Sequence, residues 1–215
     1  MNIVPIPNGV FAENCYLIVD EQAKECAVID PGEDAGLILH KIAETGSTVV
    51  GIWLTHAHLD HVVGVARVAE ETGGGVPVWL HPGDRPLYDA VPQQAGAFGL
   101  APPPALPAPN HDMVHGEQLT VGRLRFGIRH APGHSPGSVC LIGHGVAFSG
   151  DVLFAGSIGR TDLPGGDFAT LISSIERELL SLPDETIVYS GHGPETTIGR
   201  ERRTNPFLTR AYRSA

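Results

Sequence analysis

The segment LTHAHLDH, residues 54–61, constrains this chain more than any other part of its sequence. It begins where the apolar run TVVGIWL ends, and a run that is apolar almost throughout is typical of a strand covered on both faces. The following residues, HLDHVVGVARVAEETGGG, carry apolar side chains at helical spacing and end in glycines. A junction between a strand and a helix is where open α/β sheets bind ligands, so the segment is a candidate functional site.

The rest of the sequence divides into two halves of similar pattern. The first half predicts strands in MNIVPI, NCYLIVD and ECAVID, a helix in PGEDAGLILHKIAETG and a strand in VPVWLH. The second predicts strands in EQLTVG, RLRFGIRHAPG, SVCLIG, GVAFSGD and ETIVYSGHG, with a helix that begins after Asp167. This order of strands and helices predicts two sheets packed face to face, with helices on their outer faces. The proline-dense residues 101–109 predict a surface loop, and a length of 215 residues predicts one domain over 1–215.

Candidate metal ligands follow four of the predicted strands. If these strand ends lie at one edge of the sheets, five imidazoles and two carboxylates converge there. Residues two apart in an extended segment face the same way, so His56 and His58 can bind one metal while the turn into the helix directs Asp60 and His61 to a second. The full set is His56, His58, Asp60, His61, His134, Asp151 and His192. Imidazole and carboxylate without thiolate suit zinc, iron or manganese.

The other histidines and the cysteines are predicted to be structural. Six histidines lack a partner at ligand spacing: His40, His81, His111, His115, His130 and His144. The three cysteines lie far apart in the sequence, which excludes a Cys₄ or Cys₂His₂ zinc site and predicts small buried apolar residues. They are Cys15, Cys26 and Cys140.

A formal net charge of −10 argues against binding to nucleic acid or to an anionic membrane. The one basic cluster is Arg200, Arg202 and Arg203. The N-terminal residues lack the cationic and apolar regions of a secretory signal, and no apolar stretch approaches the roughly 18 residues of a membrane span. We therefore expect a cytoplasmic protein without nucleic-acid or membrane partners.

Four motifs together resemble the metallo-β-lactamase superfamily: THAHLDH, the GHSPGS around His134, the SGD ending at Asp151 and the SGHG around His192. Their order matches from IDPG at 29–32 to NPFL at 205–208. The segments GDVLFAGSIGRTD and GHGPETTIGRERRTNPFL are similar to the glyoxalase II-like (hydroxyacylglutathione hydrolase-like) enzymes of the short bacterial branch. The resemblance implies a four-layer αββα sandwich with a dinuclear metal site at one edge of the two sheets.

The resemblance also implies a role for each ligand and a reaction. The first metal takes His56, His58 and His134, the second takes Asp60, His61 and His192, and Asp151 bridges them. A hydroxide held between two divalent ions, zinc in preference to iron or manganese, attacks the carbonyl of a glutathione or related low-molecular-weight thioester such as S-lactoylglutathione. Asp60 is the predicted catalytic residue, because it orients that nucleophile.

Two further residues have two interpretations each. The resemblance implies that Arg160 in GSIGRTD corresponds to a basic position that in the family reaches the carboxylate of the thiol carrier; alternatively, it forms an ion pair with Asp162 or another local carboxylate. Asp30 in IDPG holds a ligand loop by hydrogen bonds, or it caps a turn.

The superfamily offers alternatives to thioester hydrolysis. Persulfide dioxygenases share the fold and a GRTD-like segment but use a single iron with two histidines and an aspartate; the GHGP around His192 favours the dinuclear hydrolases. Other members hydrolyse lactones, β-lactams or phosphodiesters. β-Lactam hydrolysis is less favoured because zinc β-lactamases often have a cysteine where this chain has Asp151.

Overall fold

The fold comes from a computed structural model that describes residues 1–209. Positions 210–215 of the predicted single domain lie outside the described residues. Within the described part, most strands belong to two six-stranded sheets, and two short strands form a separate hairpin. The sheets follow one another along the chain, as the two-part sequence pattern predicts.

The first sheet contains the strands of the N-terminal half. Its order is sequential, with antiparallel pairing between the first three strands and parallel pairing from the third onwards. The strands are β1 (Asn2–Asn8), β2 (Glu13–Asp20), β3 (Glu25–Ile29), β4 (Thr48–Trp53), β5 (Val78–Leu80) and β6 (His111–Asp112).

The second sheet has the order β14-β13-β10-β9-β8-β7, and β10 and β13 within it are parallel. Its strands are β7 (Gln118–Val121), β8 (Leu124–His130), β9 (Val139–Gly143), β10 (Val146–Gly150), β13 (Ile187–Ser190) and β14 (Thr196–Thr197). The hairpin of β11 (Leu153–Phe154) and β12 (Ser157–Ile158) lies between β10 and β13 in the sequence.

Helices cover the outer face of each sheet. The helices on the first sheet are α1 (Ala35–Thr45), α2 (Leu59–Val62), α3 (Val65–Glu71), α4 (Arg85–Asp89) and α5 (Val91–Ala97). Those on the second are α6 (Phe168–Ser174), which continues as a π-helical turn over Ile175–Leu179, and α7 (Ile198–Thr204). None of the helices in residues 1–209 has the length and apolar character needed to cross a bilayer.

Strand β2 shows how the four layers arise from the sequence. All eight of its residues are buried, so both faces of this strand are covered. Side chains alternate between the faces of a strand; accordingly Tyr16 and Ile18 enter the core between the sheets, whereas Leu17 and Val19 enter the core beneath the helices. A third apolar cluster lies under α6 and α7. Three cores separate four layers, which confirms the αββα sandwich.

The structure departs from the sequence prediction after β4, where one continuous helix was expected. Two helices, α2 and α3, meet there at Gly64, whose backbone N–H donates to Pro31 O at 2.9 Å. A Cβ atom at position 64 would lie 2.2 Å from the carbonyl oxygen of Gly32. The helix junction therefore packs directly on the backbone after β3. Residues 101–109 form neither helix nor strand, as predicted.

We predict that Gly64→Ala destabilises the protein by about 3 kcal/mol, because the added methyl group cannot fit against the Gly32 carbonyl without a backbone shift. Urea unfolding followed by circular dichroism measures the effect. Gly75→Ala is the control, since a Cβ at this exposed position has no neighbour within 4 Å. A stability of the Gly64 variant equal to that of the control would contradict the packing described.

Candidate metal centre

The candidate ligands lie at one edge of the sandwich because four strands end there. His56 and His58 follow β4 of the first sheet, and His134, Asp151 and His192 follow β8, β10 and β13 of the second. The structure brings all seven predicted ligands together at this edge. The site thus spans both sheets, and packing of one sheet on the other assembles it.

One group of ligand atoms consists of three imidazole nitrogens. His134 Nε2 lies 2.8 Å from His58 Nδ1 and 3.3 Å from His56 Nε2. All three side chains are buried, with at most 7% of the residue exposed. These are the residues that the family resemblance assigns to the first metal.

Asp60, His61 and His192 form the second group. His192 Nε2 lies 3.1 Å from Asp60 Oδ2, and His61 Nε2 lies 3.7 Å from the same oxygen. The carboxylate of Asp151 lies between the groups: its Oδ1 is 3.4 Å from His61 Nε2, and its Oδ2 is 3.6 Å from both His134 Nε2 and His192 Nε2. This is the position expected of a bridging ligand.

Hydrogen bonds fix which nitrogen of four imidazoles carries the proton. His134 Nδ1 donates to Arg160 O at 2.8 Å and His192 Nδ1 donates to Phe11 O at 3.1 Å, because a carbonyl oxygen can only accept. His61 Nδ1 faces the carboxylate of Asp30 at 3.1 Å.

The fourth imidazole, His56, is held in the same way. Its Nδ1 donates to Thr55 Oγ1 at 3.1 Å, since that hydroxyl gives its own proton to Asp30 Oδ2 at 2.5 Å. In all four rings Nε2 therefore faces the site. Metal-binding histidines are generally oriented through the other ring nitrogen in this manner.

The donor set fits divalent cations. His61 Nε2 and Asp151 Oδ1 are buried and have no hydrogen-bond partner among the described residues, a costly condition that a metal ion would relieve. Burial lowers the pKa of His58 to about 3 and that of His134 to about 4, so these imidazoles are neutral and each keeps a nitrogen lone pair that can bind a cation. Together with the comparisons below, this geometry shows a divalent metal-binding site.

The carboxylates around His61 also favour a bound cation. Burial alone lowers the pKa of this imidazole, but the carboxylates of Asp60, Asp151 and Asp30 outweigh burial and raise the pKa well above its ordinary value. The second group of ligands is thus a region of concentrated negative charge, which a divalent cation neutralises better than a proton does.

Asp30 ties the strand end to the ligands. It has a left-handed backbone, with φ of 47°, and its Oδ1 accepts from the Thr55 backbone N–H at 2.7 Å. Its Oδ2 accepts from the Thr55 hydroxyl and from His61 Nδ1. Of the two interpretations of Asp30, the structure supports the one in which the carboxylate holds a ligand loop.

Asp84 has a similar position that the sequence analysis missed. This fully buried carboxylate accepts from the backbone N–H of Ala57 at 3.0 Å, between His56 and His58. It also accepts from Ser135 Oγ at 2.7 Å and from the Gly137 backbone N–H at 2.5 Å. One carboxylate therefore joins the ligand loop of the first sheet to the His134 loop of the second. The sequence does contain a signal for Asp84: it is an aspartate that follows the predicted strand VPVWLH closely, at the same sheet edge as the ligands.

A cavity of about 360 Å³ opens onto the ligands. The side chains of His192, Asp60 and Asp151 are 28%, 20% and 11% exposed, so they form the accessible side of the site. Arg160 lines this cavity and also makes a two-bond ion pair with Asp162, at 2.7 and 2.8 Å. Both interpretations of this arginine are thus compatible with its position.

Small residues are required where the strands meet the ligands. A Cβ atom at Gly191, just before His192, would lie 2.2 Å from Asp151 Oδ1 and 2.7 Å from His61 Cε1. The glycine of the SGHG motif therefore leaves space for two ligands from other strands.

The remaining histidines lie outside every candidate metal-ligand group in residues 1–209, as predicted. They make local contacts instead: His81 and His130 stack at 4.0 Å, for example, and His40 pairs with Glu44 on α1. The three cysteines are free and buried, which confirms that prediction.

Comparisons with known proteins agree with this arrangement. A family model described as the metallo-beta-lactamase superfamily matches residues 8–192, a range that includes all seven candidate ligands. The hydroxyacylglutathione hydrolase GloC of Haemophilus influenzae is 44% identical over 211 residues, covering 97% of this chain and 98% of that protein.

Two solved structures are also similar over nearly their whole length. The crystal structure of BLEG-1 B3 metallo-beta-lactamase matches with a TM-score of 0.88 and 40% identity, covering 97% of this chain and 100% of that one. The crystal structure of TTHA1623 in a di-iron-bound form matches with a TM-score of 0.87 and 46% identity, covering 95% and 100%.

We predict that Asp84→Asn weakens Zn²⁺ binding about 10- to 100-fold, because the amide nitrogen must face one of the three donors that now share the carboxylate. Competition with a chromophoric chelator measures the affinity. Asp89→Asn, at an exposed position on α4, is the matched control and is expected to bind as the wild type does. Equal affinity in the two variants would show that Asp84 does not position the ligand loops.

Proposed function

Since the chain belongs to the metallo-beta-lactamase superfamily, we propose that it hydrolyses thioesters of glutathione or of a related low-molecular-weight thiol. Metal-dependent hydrolysis is the general activity that the family and the site indicate. The thioester substrate is supported by the similarity to a protein named hydroxyacylglutathione hydrolase over nearly the entire chain.

The observation that carries the proposal is the carboxylate of Asp151 between two groups of ligand atoms. Two groups with a shared carboxylate suit two ions rather than one, and we propose zinc, with iron or manganese as alternatives. The di-iron form of TTHA1623 makes iron a strong alternative. When bound, two divalent ions acidify a water and polarise the substrate carbonyl.

Asp60 is the residue of this chain that we assign to the nucleophile. Its Oδ2 lies at the accessible side of the site, 3.1 Å from His192 Nε2. Burial raises the pKa of this carboxyl, but His61 and His192 outweigh burial and hold it below its ordinary value, so the group is an ionised acceptor. It can accept a hydrogen bond from a water between the two ligand groups and orient that water towards a carbonyl in the cavity.

The thiol side of the substrate has a distinct requirement. A thiolate leaves readily, so the site needs no separate strong acid. Glutathione carries two carboxylates, and Arg160 is a cation that lines the cavity. We assign Arg160 to one of them, in exchange for its contact with Asp162.

β-Lactam hydrolysis is a second candidate, because a structure described as a B3 metallo-beta-lactamase shares 40% identity with this chain. The same site could attack a β-lactam carbonyl. The two activities are separated by assaying one preparation against a thioester and a β-lactam.

We predict that the metal-loaded protein hydrolyses S-lactoylglutathione, and that Asp60→Asn lowers kcat at least about 100-fold, because the variant loses the acceptor that orients the water. His134→Ala, which removes a member of the first ligand group, is expected to lose activity and metal together. Release of the free thiol, detected with a disulfide reagent, measures the rate.

His40→Ala is the matched control, since His40 is an exposed histidine on α1, and its rate is expected to equal that of the wild type. Oxygen uptake with a glutathione persulfide, or turnover of a β-lactam without turnover of the thioester, would contradict the proposal.

A further inference from the structure

A second cavity adjoins the metal centre, and we propose that it binds the acyl group of the substrate and selects acyl groups with an apolar branch larger than methyl. This inference rests on the thioester hydrolysis proposed above. It assigns the two ends of the substrate to two different cavities of the protein.

The second cavity has a volume of about 240 Å³ and mostly apolar walls. Its apolar lining residues include Leu59, Val63, Ala95, Leu100 and Pro103. A lactoyl methyl group would leave most of this space open, whereas a phenyl or branched alkyl group would displace water from it. Removing apolar surface from water is favourable roughly in proportion to area, so the cavity favours larger apolar groups.

The cavity adjoins the cavity of the metal centre. Phe11, Leu59 and Asp60 line both this cavity and the one that opens onto the ligands. A carbonyl held beside Asp60 would therefore have one substituent pointing into each cavity. Three walls shared with the candidate site distinguish this cavity from an unrelated surface depression.

Charge decides which end of the substrate enters which cavity. The carboxylates Glu33 and Asp60 line the second cavity, and no lysine or arginine of residues 1–209 lines it. Glu13 also lines it, but burial raises the pKa of that carboxyl well above its ordinary value. Arg160 lines the other cavity. Asp60 lines both cavities and Asp151 lines the one with Arg160, so the arginine is what distinguishes them. A thiol carrier with carboxylates is therefore attracted towards Arg160, and the neutral acyl group is left for the apolar cavity.

Phe11 connects the acyl cavity to the ligands. Its ring packs edge-on against Phe98 with centroids 5.4 Å apart, and its backbone oxygen accepts from His192 Nδ1. Phe11 lines both cavities, and the same residue orients a ligand. An acyl group in the second cavity would thus be held against the segment that fixes His192.

The test compares S-lactoylglutathione with S-mandeloylglutathione, whose acyl group has a phenyl ring in place of the methyl group. We expect the wild type to have a higher kcat/KM for the mandeloyl ester, by about tenfold. Val63→Phe, which fills the cavity from a half-buried position, is expected to reduce that preference at least about tenfold. Leu100→Ala removes a wall side chain that is 40% exposed, and is expected to reduce the preference severalfold.

Val114→Phe is the matched control, because Val114 is exposed and lines neither cavity. Its preference is expected to equal that of the wild type. Zinc content and circular dichroism verify the fold of each variant, and Leu100→Ala keeps the test decisive if Val63→Phe does not fold.

Hydrolysis of both esters with the same preference in the wild type, Val63→Phe and Leu100→Ala would overturn the acyl-cavity assignment alone. Hydrolysis of neither ester by the wild type would overturn the proposed function and, with it, this inference. The two failures are therefore distinguishable.

Discussion

Five imidazoles and two carboxylates converge at one edge of this protein, and their arrangement favours a bound cation. Four Nε2 atoms face the site because each Nδ1 is hydrogen-bonded to an acceptor elsewhere. Buried polar atoms without a hydrogen-bond partner in the described part of the chain, His61 Nε2 and Asp151 Oδ1, favour a bound cation beside them. Metal binding and the folded arrangement of the two sheets are thus coupled.

The sandwich supplies what this coupling needs. Strands β4, β8, β10 and β13 end at the same edge, so short loops suffice to place every ligand. Two buried aspartates then hold those loops: Asp30 fixes Thr55 and His61, and Asp84 joins the loop of His56 and His58 to that of His134. Both carboxylates act through other residues, and neither belongs to the predicted ligand set.

The sequence predicts the layers and the ligands because both depend on local patterns. The nearly continuous apolar run TVVGIWL indicates a strand covered on both faces. Five of the candidate ligands lie shortly after a strand, and Asp60 and His61 lie in α2, which follows β4. The features that the sequence does not predict depend on contacts between segments that are distant along the chain. The helix break at Gly64 arises from the Gly32 carbonyl, the role of Asp84 from loops on two sheets, and the acyl cavity from the Phe11 loop facing α5. None of these contacts has a periodic signature in the chain.

The central claim is that the seven ligands form one two-ion site for hydrolysis. Titration of metal-free protein with Zn²⁺, followed by S-lactoylglutathione hydrolysis, tests it most directly. The account predicts that activity rises until about two equivalents per chain have been added and then stays constant, as a two-metal site requires. Full activity without metal, or a plateau at one equivalent, would contradict it.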